Sequence, residues 1–88
     1  MKLIIAITRD EHSEEIINSL IQEDYRVTKI ASTGGFLRKG MTTLMIGVED
    51  EQVENVIDNL RNICRSLSED NERCITIFVL NVSQFMQV

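Results

Sequence analysis

"DEHSEEIINSL" (residues 10–20) and "DEQVENVIDNL" (residues 50–60) are two versions of one segment set forty positions apart. Asp10/Asp50, Glu11/Glu51, Glu14/Glu54, Ile16/Val56, Ile17/Ile57 and Leu20/Leu60 match in type. In the second version Val53, Val56, Ile57, Leu60, Ile63 and Cys64 trace the i, i+3, i+4, i+7 stripe of an amphipathic helix. Two helices are expected, each with acids in its first turn, where the helix dipole and the unpaired N–H groups favour negative charge. That position makes Asp10, Glu11, Asp50 and Glu51 helix-start residues before it makes them acid–base catalysts.

Working outward, "KLIIAIT" and "TTLMIGV" precede the two helices, and "YRVTKIAS" and "CITIFVL" follow them, all rich in β-branched residues. The order β-α-β, β-α-β in one domain of 88 residues predicts an α+β, ferredoxin-like βαββαβ fold. It has a four-stranded antiparallel sheet and both helices on one face. Simple alternation puts Arg26, Thr28 and Ile30 on one face of the second strand and Tyr25, Val27 and Ala31 on the other. In "CITIFVL", Ile75, Ile77 and Val79 alternate with Cys74, Phe78 and Leu80, so the strand is apolar on both faces. Helices cover one face only. A second protein surface is therefore expected on the other, and self-association supplies it most simply, as it does for many chains of this size.

The net charge of −5 argues against binding nucleic acid through counterion release. Yet no Asp or Glu occurs from Arg26 to Val48, while Arg26, Lys29, Arg38 and Lys39 all fall there. Such a segment in an acidic chain can attract a small anion, although solvated Lys and Arg are also ordinary at sheet edges. Cys64 and Cys74 form no Cys-x-x-Cys motif and read as small apolar residues of a reducing compartment, with neither a disulfide nor a zinc site. The apolar start, Leu3 to Ile7, is too short for an export or membrane segment and runs into Arg9, Asp10 and Glu11, so a cytoplasmic protein without membrane contact is expected. His12 is the single histidine. No nucleophile–base set can be built around it, so no enzymatic activity, metal site or cofactor is expected. The four methionines read as core or interface filling.

What remains is "TGGFLRKG", residues 33–40, between the second and third strands. Gly35 and Gly40 have the spacing of a phosphate-binding P-loop, but Met41 stands where that motif needs Lys. Consecutive glycine N–H groups can still form an anion-accepting nest. Phe36 in such a run is either an anchor to its own core or a stacking platform for a flat ligand.

"RVTKIASTGGFLRKGMTTLMIGV", together with "MKLIIAI" and "IFVLNVSQFMQ", resembles the cyclic-di-AMP receptor family of PII-like signalling proteins, in which a Thr-Gly-Gly-Phe-Leu-Arg motif follows the second strand. The resemblance implies a homotrimer with nucleotide sites between neighbouring subunits and an unidentified regulatory target protein. It also implies ligand contacts at Arg26, Thr28, Gly35, Phe36, Leu37, Gly47, Phe78 and Gln87, and at Met41, which would face the base. Asp24 and Met41 stand where the family usually has Asn, and "RSLSEDNER" replaces a much longer segment after the second helix. The expected function is thus binding of a small adenine nucleotide, cyclic di-AMP first, and relay of that state to a partner. The alternative is an interaction or scaffolding trimer of the same fold that has lost the pocket.

Overall fold

The computed structural model describes residues 1–33, 40–67 and 73–88. Its elements run β1 (Lys2–Arg9), α1 (Asp10–Gln22), β2 (Val27–Thr33), β3 (Met41–Val48), a short 3-10 turn (Asp50–Gln52), α2 (Val53–Leu67) and β4 (Ile75–Asn81). The sheet is antiparallel throughout, in the order β2-β3-β1-β4. This is the expected PII-like, ferredoxin-like βαββαβ fold.

The forty-residue repeat extends into the strands. Ile4, Ala6 and Thr8 of β1 and their equivalents Leu44, Ile46 and Val48 of β3 are all buried. They pair reciprocally, Ile4 with Ile46 and Ala6 with Leu44. With Ile16, Leu20, Val56 and Leu60 from the helices, the apolar ones among them form the core, which lies between the helices and one face of the sheet. The two helices meet at equivalent positions of the repeat as well. The Ser19 hydroxyl donates to Asn59 Oδ1 at 2.7 Å, and Asn59 Nδ2 donates to the Ser19 carbonyl at 3.2 Å. The repeat loses its offset afterwards, since β2 starts at Val27 and β4 at Ile75, 48 positions later.

Local chemistry sets the boundaries. α1 ends in a Schellman turn, in which the Asp24 N–H bonds the Ile21 carbonyl at 2.9 Å and the Tyr25 N–H bonds the Leu20 carbonyl at 3.1 Å. Asp24 takes the left-handed conformation this turn needs, at φ 68°. The second acidic start differs from the first. Asp50 and Glu51 lie in the 3-10 turn, closed by a capping box between Glu49 and Gln52, before α2 proper begins at Val53.

Two expectations are corrected. Cys64 and Cys74 are not separate thiols but a disulfide, because the end of α2 and the start of β4 bring their Cα atoms to 5.8 Å, inside the bridging range. Along β2, pairing shifts register between Lys29 and Ala31. Ala31 consequently pairs with Thr43 rather than falling in step with Val27, and the uniform alternation expected of this strand holds only as far as Lys29.

Candidate functional site

Buried residues of β1 and β3 alternate with residues of the sheet face that carries no helix. Register defines two rows across that face. In one, Phe78, Ile5, Met45 and Thr28 are successive cross-strand neighbours on β4, β1, β3 and β2. In the next, Leu80, Leu3 and Gly47 are neighbours on β4, β1 and β3. Phe78 is 52% exposed and Leu80 45%, so the face is apolar and uncovered in the single chain.

At one end of this face lies a concavity of about 510 Å³. Thr28 comes to it from β2 and Arg26 from the residue just before that strand, Met45 and Gly47 from β3, and Leu3 from β1. The C-terminal segment closes the far side with Val82, Phe85 and Gln87. That segment is fastened to β1 by the Val82 N–H donating to the Met1 carbonyl at 3.1 Å and by the Lys2 ammonium donating to Asn81 Oδ1. The result is an apolar floor with one guanidinium, one hydroxyl and one carboxamide at its margin, a composition suited to a flat, polar-edged anion.

Gly47 carries the sharpest local information. Glycine inside a strand weakens it and usually marks a turn, a bulge or a close approach. Here φ is not positive, and a Cβ built on Gly47 would meet no atom within 4 Å. Neither the backbone nor the packing of this chain demands glycine. The space it leaves opens into the concavity.

Of the residues singled out in the sequence, Arg26, Thr28, Gly47 and Gln87 are thus brought together from three distant segments. Phe78 lies on the same sheet face, in the row of Thr28 and Met45, but does not line the concavity. Met41, which the resemblance set against a base, starts β3 and shares its open face, four residues and so roughly 13 Å along the strand from Met45. It does not line this concavity. Gly35, Phe36 and Leu37 lie outside the described residues. The end of their segment is held, however, since the Asp10 N–H at the start of α1 donates to the Gly40 carbonyl at 3.0 Å, and the Thr42 hydroxyl donates to the Asp10 carboxylate.

Sequence reasoning missed Met45 and Phe85. Phe85 is 65% exposed although it is a large aromatic. An aromatic in the polar stretch after the last strand was the available signal. Among the described residues no group of three or more His, Cys, Asp or Glu side chains is placed to hold a metal ion, and no helix is long and apolar enough to cross a membrane.

Residues 1–72 match the model of a protein family described as cyclic-di-AMP receptor. The fold is also similar to a crystal structure of a functionally unknown protein from Pediococcus pentosaceus ATCC 25745, with a TM-score of 0.75 and 34% sequence identity over 99% of this chain and 96% of that one.

Proposed function

This chain belongs to the cyclic-di-AMP receptor family, and from that premise we propose that it is a non-enzymatic signalling protein. It binds cyclic di-AMP, or a close adenine nucleotide, at the Arg26 end of the open sheet face, and relays the bound state to a partner protein. The observation that supports this most directly is the convergence of Arg26, Thr28, Gly47 and Gln87 on one concavity. In this reading Arg26 pairs with a phosphate, Thr28 and Gln87 supply neutral hydrogen bonds, and Gly47 lets a base or ribose lie against the strand. The mechanism is a population shift, in which the nucleotide favours whichever arrangement it binds more tightly.

The assembly we propose is a homotrimer with each site completed by a neighbour. The open face of the chain carries Phe78 and Leu80 half exposed, apolar surface that a neighbouring copy would cover. The cytoplasmic location expected from the sequence is part of this proposal.

Titration calorimetry with cyclic di-AMP, cyclic di-GMP, AMP and ATP, run beside light scattering on the eluted protein, tests both parts. We expect heat from cyclic di-AMP and a mass of three chains. A stable monomer that binds nothing in the panel would overturn the reading. A trimer that binds nothing would favour the scaffold alternative.

A further inference from the structure

Nothing in the nucleotide reading uses the two cysteines. Cys64 lies in the last turns of α2 and Cys74 one residue before β4, each half-buried, with Cα atoms 5.8 Å apart. We propose that this pair is a reversible redox-modification site. As a disulfide it ties the end of α2 to the start of β4. Through Thr8 and Asp10 it also steadies the point where the glycine-rich segment rejoins β3.

Three observations carry the proposal. First, the bridge is not needed to build the core, which consists of nine buried apolar residues from β1, β3, α1 and α2 and includes neither cysteine. The chain can therefore remain folded with the pair reduced. Second, neither cysteine residue is fully buried, so the pair lies near the surface that small thiols and disulfides reach, whereas a bridge deep in the core would be closed to them. Third, the bridge is wired to one end of the sheet. The Cys74 carbonyl accepts the hydroxyl of Thr8, itself buried, at 3.0 Å. Thr8 pairs with both Ile75 and Thr42, and two residues on, the Asp10 N–H holds the Gly40 carbonyl at 3.0 Å. Releasing Cys74 loosens the strand start that receives the Thr8 bond.

The chemistry is thiol–disulfide exchange. One cysteine thiolate attacks a small disulfide such as oxidised glutathione, forming a mixed disulfide and expelling one glutathione thiolate. The second cysteine thiolate then attacks the protein sulfur of that mixed disulfide, forming the Cys64–Cys74 bond and expelling the second glutathione. Overall, two protein thiols and one glutathione disulfide give one protein disulfide and two glutathiones, and a reduced dithiol reverses the step.

The test needs no nucleotide, so its outcome is independent of the binding reading. Full-length protein is poised over a series of reduced-to-oxidised glutathione ratios, alkylated and weighed by mass spectrometry. Melting and amide hydrogen exchange are then followed for the two end states. We expect complete conversion to a monomeric-chain disulfide, full reversal by dithiothreitol, and a melting temperature higher by on the order of 10 °C in the oxidised form, the scale set by closing a loop of this length in a domain of this size. The Asp10 amide should exchange several-fold faster after reduction, while the Val82 amide, bonded to Met1 at the other end of the sheet, should not change. The double variant Cys64→Ser/Cys74→Ser should behave like the reduced protein at every ratio. If that variant does not fold, the wild-type series decides alone. Two alkylated thiols at every ratio, cross-links only between chains, or equal melting of the two states would overturn the site. Unchanged exchange at Asp10 would overturn its link to the glycine-rich segment.

Discussion

Gly47 on β3 sits directly opposite Leu3 on β1, and both line the same concavity, so the side chain missing from Gly47 is open space above an apolar neighbour. Gly47→Val should leave the fold intact, because a Cβ there meets no atom within 4 Å and valine suits a strand better than glycine. Melting should be unchanged or slightly raised. Cyclic di-AMP affinity should drop at least tenfold, about 1.4 kcal/mol, with the mass by light scattering unaltered. Unchanged affinity would place the nucleotide elsewhere.

Among the described residues Arg26 is the one cationic side chain lining the concavity. Arg26→Ala should weaken nucleotide binding by about 1.5–3 kcal/mol, the range for a hydrogen bond to a charged partner. Arg26→Lys should restore part of that loss but not the two-pronged geometry. Calorimetry on the three proteins at fixed ionic strength gives the answer. Equal affinities with intact secondary structure would reduce Arg26 to a solvated residue.

The resemblance sets Met41, where the family usually has Asn, against a base; the side chain lies on the open face at the start of β3, outside the concavity that Arg26 lines. A carboxamide can donate to and accept from an adenine edge at once, whereas a thioether is a weak acceptor only. A nucleotide that extends along the open face from the concavity to Met41 should bind Met41→Asn more tightly by about 1–3 kcal/mol, roughly ten- to a hundredfold. Equal affinities of the two forms, measured by calorimetry, would show that this side chain does not meet the base.

Asp24 holds φ 68° in the turn that ends α1. Glycine adopts that conformation without strain and a β-branched residue does so badly. Urea unfolding should show Asp24→Gly neutral or stabilising, while Asp24→Val should cost on the order of 1–2 kcal/mol. Identical midpoints for all three would mean that the turn rearranges instead of bearing the strain.

A core prediction separates stability from binding. Leu60 is 1% exposed and occupies the place in α2 that Leu20 occupies in α1. Leu60→Ala should lower unfolding free energy by about 2–5 kcal/mol, a large share of what a domain this small possesses. Denaturant melts of the variant check the size of the loss.

The elements were legible because they rest on periodicity within short windows. The stripe of Val56 and Leu60 and the strand-like run from Lys2 to Thr8 each required only neighbours in sequence, and burial follows them at Val56, Leu60, Ile4, Ala6 and Thr8. How the two halves meet was not read from the sequence: the structure extends the repeat into the strands and pairs them reciprocally, Ile4 with Ile46 and Ala6 with Leu44. The register shift in β2 was not legible, because one extra residue in a ladder is decided by the partner strand and leaves no mark on composition.

The cysteines and the candidate site divide along the same line. Sequence by itself placed Cys64 on the second helix and Thr28 and Gly47 on strands, and it set Cys74 and Arg26 into strands that in fact begin one residue after each of them. Only the tertiary structure decided that α2 delivers its end to β4 at a Cα separation of 5.8 Å, turning two apolar residues into a bridge. It alone also carried Phe85 and Gln87 to the far side of the concavity from Arg26, by fastening the C-terminal segment at Val82 to Met1. The physical reason is range: propensity and periodicity act over a turn or a strand, whereas a bridge or a binding surface is made by residues whose separation in the chain says nothing about their separation in space.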